Sequence, residues 1–249
     1  MVKYMNNIKI SFLITLLAGL STLIGTLLIF TKKRTKIIPV SLSFASGVMF
    51  SISIMDLLPN AYINISEKYL FFPTILFILI FLSLGVVIDI ILDMIIKKNN
   101  NHLYRLGILS MIALMIHNIP EGIVTFITST NNISLGIMLS VAIALHNIPE
   151  GIMISVPIYY STNSKKRAFL YTFISGMSEF LGALIAFILF KNINNNYIIG
   201  FTFALIAGLM LHISIYEIPP IIKEYKDKRS KYFFILGVII MMINHFLLG

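Results

Sequence analysis

The residues His117-Asn118-Ile119-Pro120-Glu121-Gly122 recur unchanged as His146-Asn147-Ile148-Pro149-Glu150-Gly151. Each copy offers an imidazole nitrogen, an amide oxygen and a carboxylate. That donor set, free of sulfur, suits borderline divalent ions such as zinc, iron, manganese or cobalt. Soft Cu(I) is disfavoured, and imidazole makes Mg a poorer match. At about 100° per residue of helix, the Glu four positions after His falls at about 40°, between His at 0° and Asn at about 100°. A carboxylate has two oxygens, so each Glu is placed to serve an ion on the His side and one on the Asn side. Two facing helices would then frame a two-metal cluster.

The elements that must hold these residues follow from composition. Of 249 residues, 58% are hydrophobic and 12% charged, with a mean hydropathy of +0.93. The charged fraction is about half the soluble norm of roughly 25%, too little to cover a water-soluble globule of this size. The chain therefore belongs in a bilayer. A formal charge of +9 would point to nucleic acid only if it formed a water-facing patch, but the basic residues sit in short loops. The absence of cysteine excludes disulfides, thiolate metal sites and Cys nucleophiles, and the absence of Trp leaves interfacial anchoring to Tyr, Lys and Arg.

Eight apolar runs come near the roughly 20 residues that cross a bilayer: about 8–30, 37–58, 70–96, 103–128, 133–160, 168–190, 197–221 and 232–248. Their short connections predict an all-α integral membrane protein, with residues 1–249 forming one transmembrane domain. Lys32, Lys33, Arg34 and Lys36 follow the first run, Lys97, Lys98 and Arg105 the third, Lys165, Lys166 and Arg167 the fifth, and Lys223, Lys226, Lys228, Arg229 and Lys231 the seventh. The opposite side carries only Lys3, Lys9, Lys68 and Lys191. The positive-inside rule then makes the odd-to-even loops cytoplasmic and both termini extracytoplasmic. The first run exceeds a usual signal-peptide core and is expected to stay as a helix.

In this topology the fourth run goes outward and the fifth returns, so His117 and His146 both lie about 20 Å along their helices. Glu179, on the sixth run, reaches a matching depth. A single His and Glu pair could serve as an interhelical hydrogen bond. Two copies at one level, joined by a third carboxylate, favour a metal site, because ionisable groups at membrane depth are expensive. Pro120 and Pro149 cannot donate to the carbonyls of Ile116 and Leu145, which predicts kinks beside the ligands.

These features resemble the ZIP family of divalent metal transporters, and within it the ZupT-like bacterial branch. The likeness rests on the paired HNIPEG motif, on Phe44-Ala45-Ser46-Gly47-Val48-Met49 with Asp56-Leu57-Leu58-Pro59, and on Ser175-Gly176-Met177-Ser178-Glu179. It implies a 3+2+3 inverted-repeat bundle with a binuclear centre at mid-membrane. One site would draw on His117, His146, Glu121 and Glu150, the other on Asn118, Asn147, the same two glutamates and Glu179. Phe180 stands where relatives commonly have Pro, and the loop before the fourth run lacks their His-rich insert, holding only His102.

Other polar residues sort by depth. Asp56 is expected at the outer end of the second helix, either attracting cations or solvated. Asp89 and Asp93, near the cytoplasmic end of the third run, read as structural in preference to an exit path, with Asp93 able to pair with Lys97. His212 and Glu217 are candidates for the exit path, and His245 reads as interfacial. Gly19, Gly25, Gly182, Ala186 and Gly208 read as helix-packing positions.

The expected function is uptake of divalent transition metals into the cytoplasm, zinc first and iron, manganese, cobalt and cadmium with it. The metal is substrate and no prosthetic group is called for. An intramembrane metal hydrolase is the alternative from the enzyme class, but HExxH needs Glu beside the first His, where Asn118 and Asn147 stand. A cation channel would share the polar core without needing geometry-specific ligands. Divalent metal ions, the bilayer and a second copy of the chain are the candidate partners. The bacterial cytoplasmic (inner) membrane is the expected location.

Overall fold

The computed structural model describes residues 2–31, 34–96, 101–189 and 196–248, with side chains over 6–31, 36–96, 101–189 and 197–247. Lys32, Lys33, Lys97, Lys98 and Lys191, all used in the charge reading, lie outside the described residues. Among those described there is no strand, and eight helices are long and apolar enough to cross a membrane. They are α1 (Asn6–Phe30), α2 (Lys36–Ser66), α3 (Phe71–Ile96), α4 (His102–Asn131), α5 (Ile133–Thr162), α6 (Lys165–Leu189), α7 (Tyr197–Glu224) and α8 (Ser230–Leu247). Side chains such as Leu79, Val87 and Ile91 of α3 are exposed. For an apolar helix that is the pattern of a lipid-facing surface.

The helices pack as two groups. In one, α4 packs on α6 and α5, and α1 lies against all three; in the other, α2 packs on α8 and α7, and α3 on α7. The seam between the groups runs chiefly along α2 and α5. The motif helices thus share a bundle with α1 and α6, framed by α2, α3, α7 and α8.

Glycine contacts reveal the internal repeat. A Cβ on Gly122 would strike the Glu179 carbonyl and one on Gly182 that of Ile119, while Gly151 meets the Thr22 carbonyl and Gly25 that of Ile148. Helix α6 therefore meets α4 through the same kind of contacts by which α1 meets α5. Gly19 and Gly176 face each other's backbone between α1 and α6. In the frame, Gly47 of α2 and Gly237 of α8 meet the carbonyls of Phe234 and Phe44, as Gly208 of α7 and Gly85 of α3 meet those of Leu82 and Leu205. Helices α1 to α3 correspond to α6 to α8, with α4 matched to α5. That is the 3+2+3 arrangement, and close backbone approach through small residues is how helices associate without a hydrophobic drive.

Two departures from the sequence reading concern helix winding. The second helix does not stop at residue 58 but continues to Ser66, because Ser53–Leu57 forms a π-helical turn in which the Leu58 N–H reaches the Ser53 carbonyl. Pro normally clashes with the carbonyl four residues back. The widened turn moves that carbonyl aside, so Pro59 enters without ending the helix. The same device, Ile213–Glu217, precedes Pro219 in α7, which runs to Glu224. Helix α1 does the opposite. Its second half, Ser21–Phe30, is wound as a narrower 3-10 helix, which suits its backbone contact with α5.

Candidate metal centre

The glycine that ends each motif brings a neighbouring backbone into contact, and the asparagine two residues into the hexapeptide then binds that neighbour. Asn118 Nδ2 donates to the Ser175 carbonyl of α6 at 3.2 Å, and Asn147 Nδ2 donates to the Ala18 carbonyl of α1 at 2.9 Å. Ala18 and Ser175 occupy matching places in the repeat, each one residue before the facing glycines. Asn147 Nδ2 also donates to Glu179 Oε2 at 2.9 Å. With the amide nitrogens so used, Oδ1 of both asparagines is buried without a donor. The side chains are locked with their oxygens free, the state in which an amide serves as a ligand.

On the other face of the motifs, the two imidazoles converge on one carboxylate oxygen. His117 Nε2 lies 3.2 Å and His146 Nε2 3.1 Å from Glu121 Oε1, and His117 Nε2 lies 3.4 Å from Glu150 Oε1. The ring centroids are 6.3 Å apart. Glu121 Oε2, both oxygens of Glu150 and Glu179 Oε1 are buried with no hydrogen-bond partner. His117, Asn118, Asn147, Glu150 and Glu179 are all fully buried. Uncompensated carboxylates in such surroundings are strongly unfavourable, and a bound cation removes the penalty while using their lone pairs. Of the seven side chains expected from sequence, His117, Glu121, His146 and Glu150 meet between α4 and α5, Asn147 meets Glu179 of α6, and Asn118 is bound to the Ser175 carbonyl of α6. His117, Glu121 and His146 offer ligand atoms within 4.8 Å of one another. Phe180, beside Glu179, packs its ring on Phe12 of α1 with centroids 5.7 Å apart.

The three pathway candidates fall elsewhere. Asp56 is not at a helix end, since α2 continues beyond it, and its Oδ1 lies 2.7 Å from His245 Nδ1 of α8. His245 is therefore a cross-helix partner, not simply interfacial. At the opposite end of the frame, His212 Nδ1 lies 2.7 Å from Asp89 Oδ2, and these two with Glu217 place ligand atoms within 4.8 Å of one another. Asp89 is fully buried and its Oδ1 has no hydrogen-bond partner. Sequence alone favours a structural role for Asp89 over one in an exit path. His212 and Glu217 are five apart, about 140° around an α-helix, and only the π turn between them brings both to one face. The signal that was available was a carboxylate set well inside an apolar run. Asp93 takes Arg105 as its partner, Nε to Oδ1 at 2.7 Å. His102, expected in the loop, is instead the first residue of α4, where it is exposed and faces Glu224 at 3.2 Å.

Comparison with known proteins agrees with this geometry. The family model described as ZIP zinc transporter matches residues 98–245, the stretch that contains both motifs and Glu179. The chain is similar over nearly its whole length to proteins named zinc transporter ZupT. That of Streptococcus mutans is 40% identical, covering 94% of this chain and 96% of the relative. That of Clostridium perfringens is 35% identical over 96% of each chain. That of Oceanobacillus iheyensis is 37% identical, covering 98% of this chain and 100% of the relative.

Proposed function

This chain belongs to the ZIP family of zinc transporters, and from that membership we propose that it moves zinc, and with it iron, manganese, cobalt and cadmium, into the cytoplasm. The route passes a two-metal centre on α4, α5 and α6, with His117, His146, Glu121 and Glu150 holding one ion and Asn118, Asn147, both motif glutamates and Glu179 the other. Asp56 lies on the entry side, His212 and Glu217 on the exit side. The protein is a multi-pass membrane protein, and the bacterial inner membrane is its proposed location.

The observation that carries the reading is the set of buried acceptors without donors, Asn118 Oδ1, Asn147 Oδ1, Glu121 Oε2, Glu150 Oε2 and Glu179 Oε1, on the motifs whose two imidazoles converge on Glu121. Such a set is satisfied by a cation. Selectivity would come from geometry more than from affinity, since nitrogen and oxygen donors alone do not discriminate sharply among these ions. No His in the sequence is followed by the Glu that HExxH requires of a hydrolase, and the fixed ligand geometry favours a saturable carrier over an open pore.

Uptake into proteoliposomes across Zn, Fe, Mn, Co, Ni, Cu and Cd, with competition, tests the function. Saturable zinc uptake inhibited by cadmium and cobalt is expected; uptake that is linear in concentration for every ion would favour a channel. Direction follows from orientation, in which the basic loops are cytoplasmic and both termini outside. In single-cysteine variants Ser164→Cys and Asn131→Cys, an impermeant reagent applied outside should label only the second. Labelling of the first alone would reverse the direction proposed.

A further inference from the structure

The repeat that relates the two ends of the frame also exposes a difference between them. Asp56 follows Gly47 by the same interval as Glu217 follows Gly208, and His245 follows Gly237 as Asp93 follows Gly85. The Asp56 and His245 pair at one end therefore corresponds to Glu217 and Asp93 at the other. The first pair is a carboxylate with an imidazole, both from the frame. The second is two carboxylates, which need a cation between them. That cation is Arg105, which comes from α4 and thus from the bundle that carries the metal centre. Its Nε lies 2.7 Å from Asp93 Oδ1 and its Nη2 3.7 Å from Glu217 Oε2. All three side chains are at least three-quarters buried. Glu217 in turn belongs to the cluster with Asp89 and His212, where Asp89 Oδ1 is buried and unpartnered.

We propose that Arg105 is a tethered cation that takes the place of the transported metal at Asp93 and at Glu217, the acid shared with Asp89 and His212, and so discharges it. The inference rests on the transport reading. A guanidinium has donors but no acceptor and stays charged at any working pH, so it cannot ligate a metal and can only compete with one for the same oxygens. A divalent ion leaving the centre toward the basic-loop end meets these carboxylates and must displace Arg105 to bind Glu217 and Asp93. The return of the guanidinium removes the ligands again. Because Arg105 is carried by α4 while the acids stand on α3 and α7, this exchange also makes and breaks a charged link between the two bundles. An acid cluster without it would hold the metal instead of passing it on.

The test compares full-length wild type, Arg105→Gln, Arg105→Lys and the double variant Arg105→Gln with Asp93→Asn. Zinc binding to purified protein and zinc uptake into proteoliposomes are both measured. Arg105→Gln should bind zinc at the inner cluster about tenfold more tightly and lose about tenfold in maximal uptake rate without a rise in KM, the scale of removing one partner from a partly buried charge pair. Arg105→Lys should stay near wild type, and the double variant should recover rate because one repelled carboxylate is gone. Wild-type binding and rate in Arg105→Gln would overturn the proposal, as would failure of the double variant to recover. If Arg105→Gln does not reach the membrane, Arg105→Lys carries the test: a folded Lys variant that does not transport shows that charge alone is not what Arg105 supplies, and overturns it. Absence of uptake by wild type would instead sink the transport reading, and this inference with it.

Discussion

In the bundle of α1, α4, α5 and α6 the buried carboxylates keep oxygens without partners, whereas in the frame of α2, α3, α7 and α8 the acids are matched with histidine or arginine. Glu150 and Glu179 sit fully buried with unpaired oxygens, while Asp56 and Asp93 each have a cation or imidazole at 2.7 Å. Asp89 stands between the two cases, with one oxygen on His212 and one unpartnered. The contrast teaches where charge is to be brought from outside and where the protein supplies its own. Both bundles share one construction, glycines that let carbonyls of one helix touch the backbone of the next. They differ in side chains and not in packing style.

The sharpest way to break this comparison is to remove one acid from each side of it. Glu121→Ala deletes the oxygen that both imidazoles approach and should reduce zinc uptake to background, while Asp56→Asn should leave a measurable saturable rate. Equal loss in both, with protein in the membrane verified, would dissolve the distinction. Next in size is the shared construction. A Cβ at Gly151 meets the Thr22 backbone, which cannot yield locally, whereas one at Gly107 meets the flexible end of Ile158. Gly151→Ala should cost about 1–3 kcal/mol and lower the melting temperature in detergent, and Gly107→Ala should cost clearly less. Similar melting temperatures would show that α1 and α5 can separate freely.

Metal entry should also release protons, because imidazole must be neutral and carboxylate ionised to ligate. Zinc titration in weak buffer between pH 6 and 7 should show proton release from wild type, and binding should weaken as pH falls. Independently confirmed binding without release would mean that the unpartnered carboxylates are ionised before metal arrives. The smallest effect belongs to the loop between α7 and α8. Hydrogen bonds from the Arg229 side chain and backbone hold the Asp227 carboxyl down at about 2. A lowered value means any stabilisation is complete above the ordinary carboxylate range and fades only as pH falls toward 2. The pair is exposed, so Asp227→Asn should change neither uptake nor melting temperature measurably at pH 7.

The candidate centre is legible because its information is local. A hexapeptide repeated on adjacent antiparallel helices sets both depth and face, and Glu179 could be added by depth alone. The frame was less legible because its pairs join residues far apart in sequence through changes of winding. His212 and Glu217 share a face only through a π turn, and Asp56 falls inside α2 only because another π turn carries the helix past Pro59. A proline reads as a stop signal in sequence unless the turn before it is known to widen. In sequence Arg105 reads as one more loop charge, although its position near the start of α4 aims it at two acids of the frame.

The central claim is that the unpartnered acids of the two motifs carry metal across. Radioactive zinc uptake into proteoliposomes holding equal amounts of wild type or Glu150→Ala, verified as folded by melting temperature, tests it most directly. Saturable uptake by wild type and none above background for Glu150→Ala are expected. Saturable uptake at the wild-type rate in the variant would contradict it.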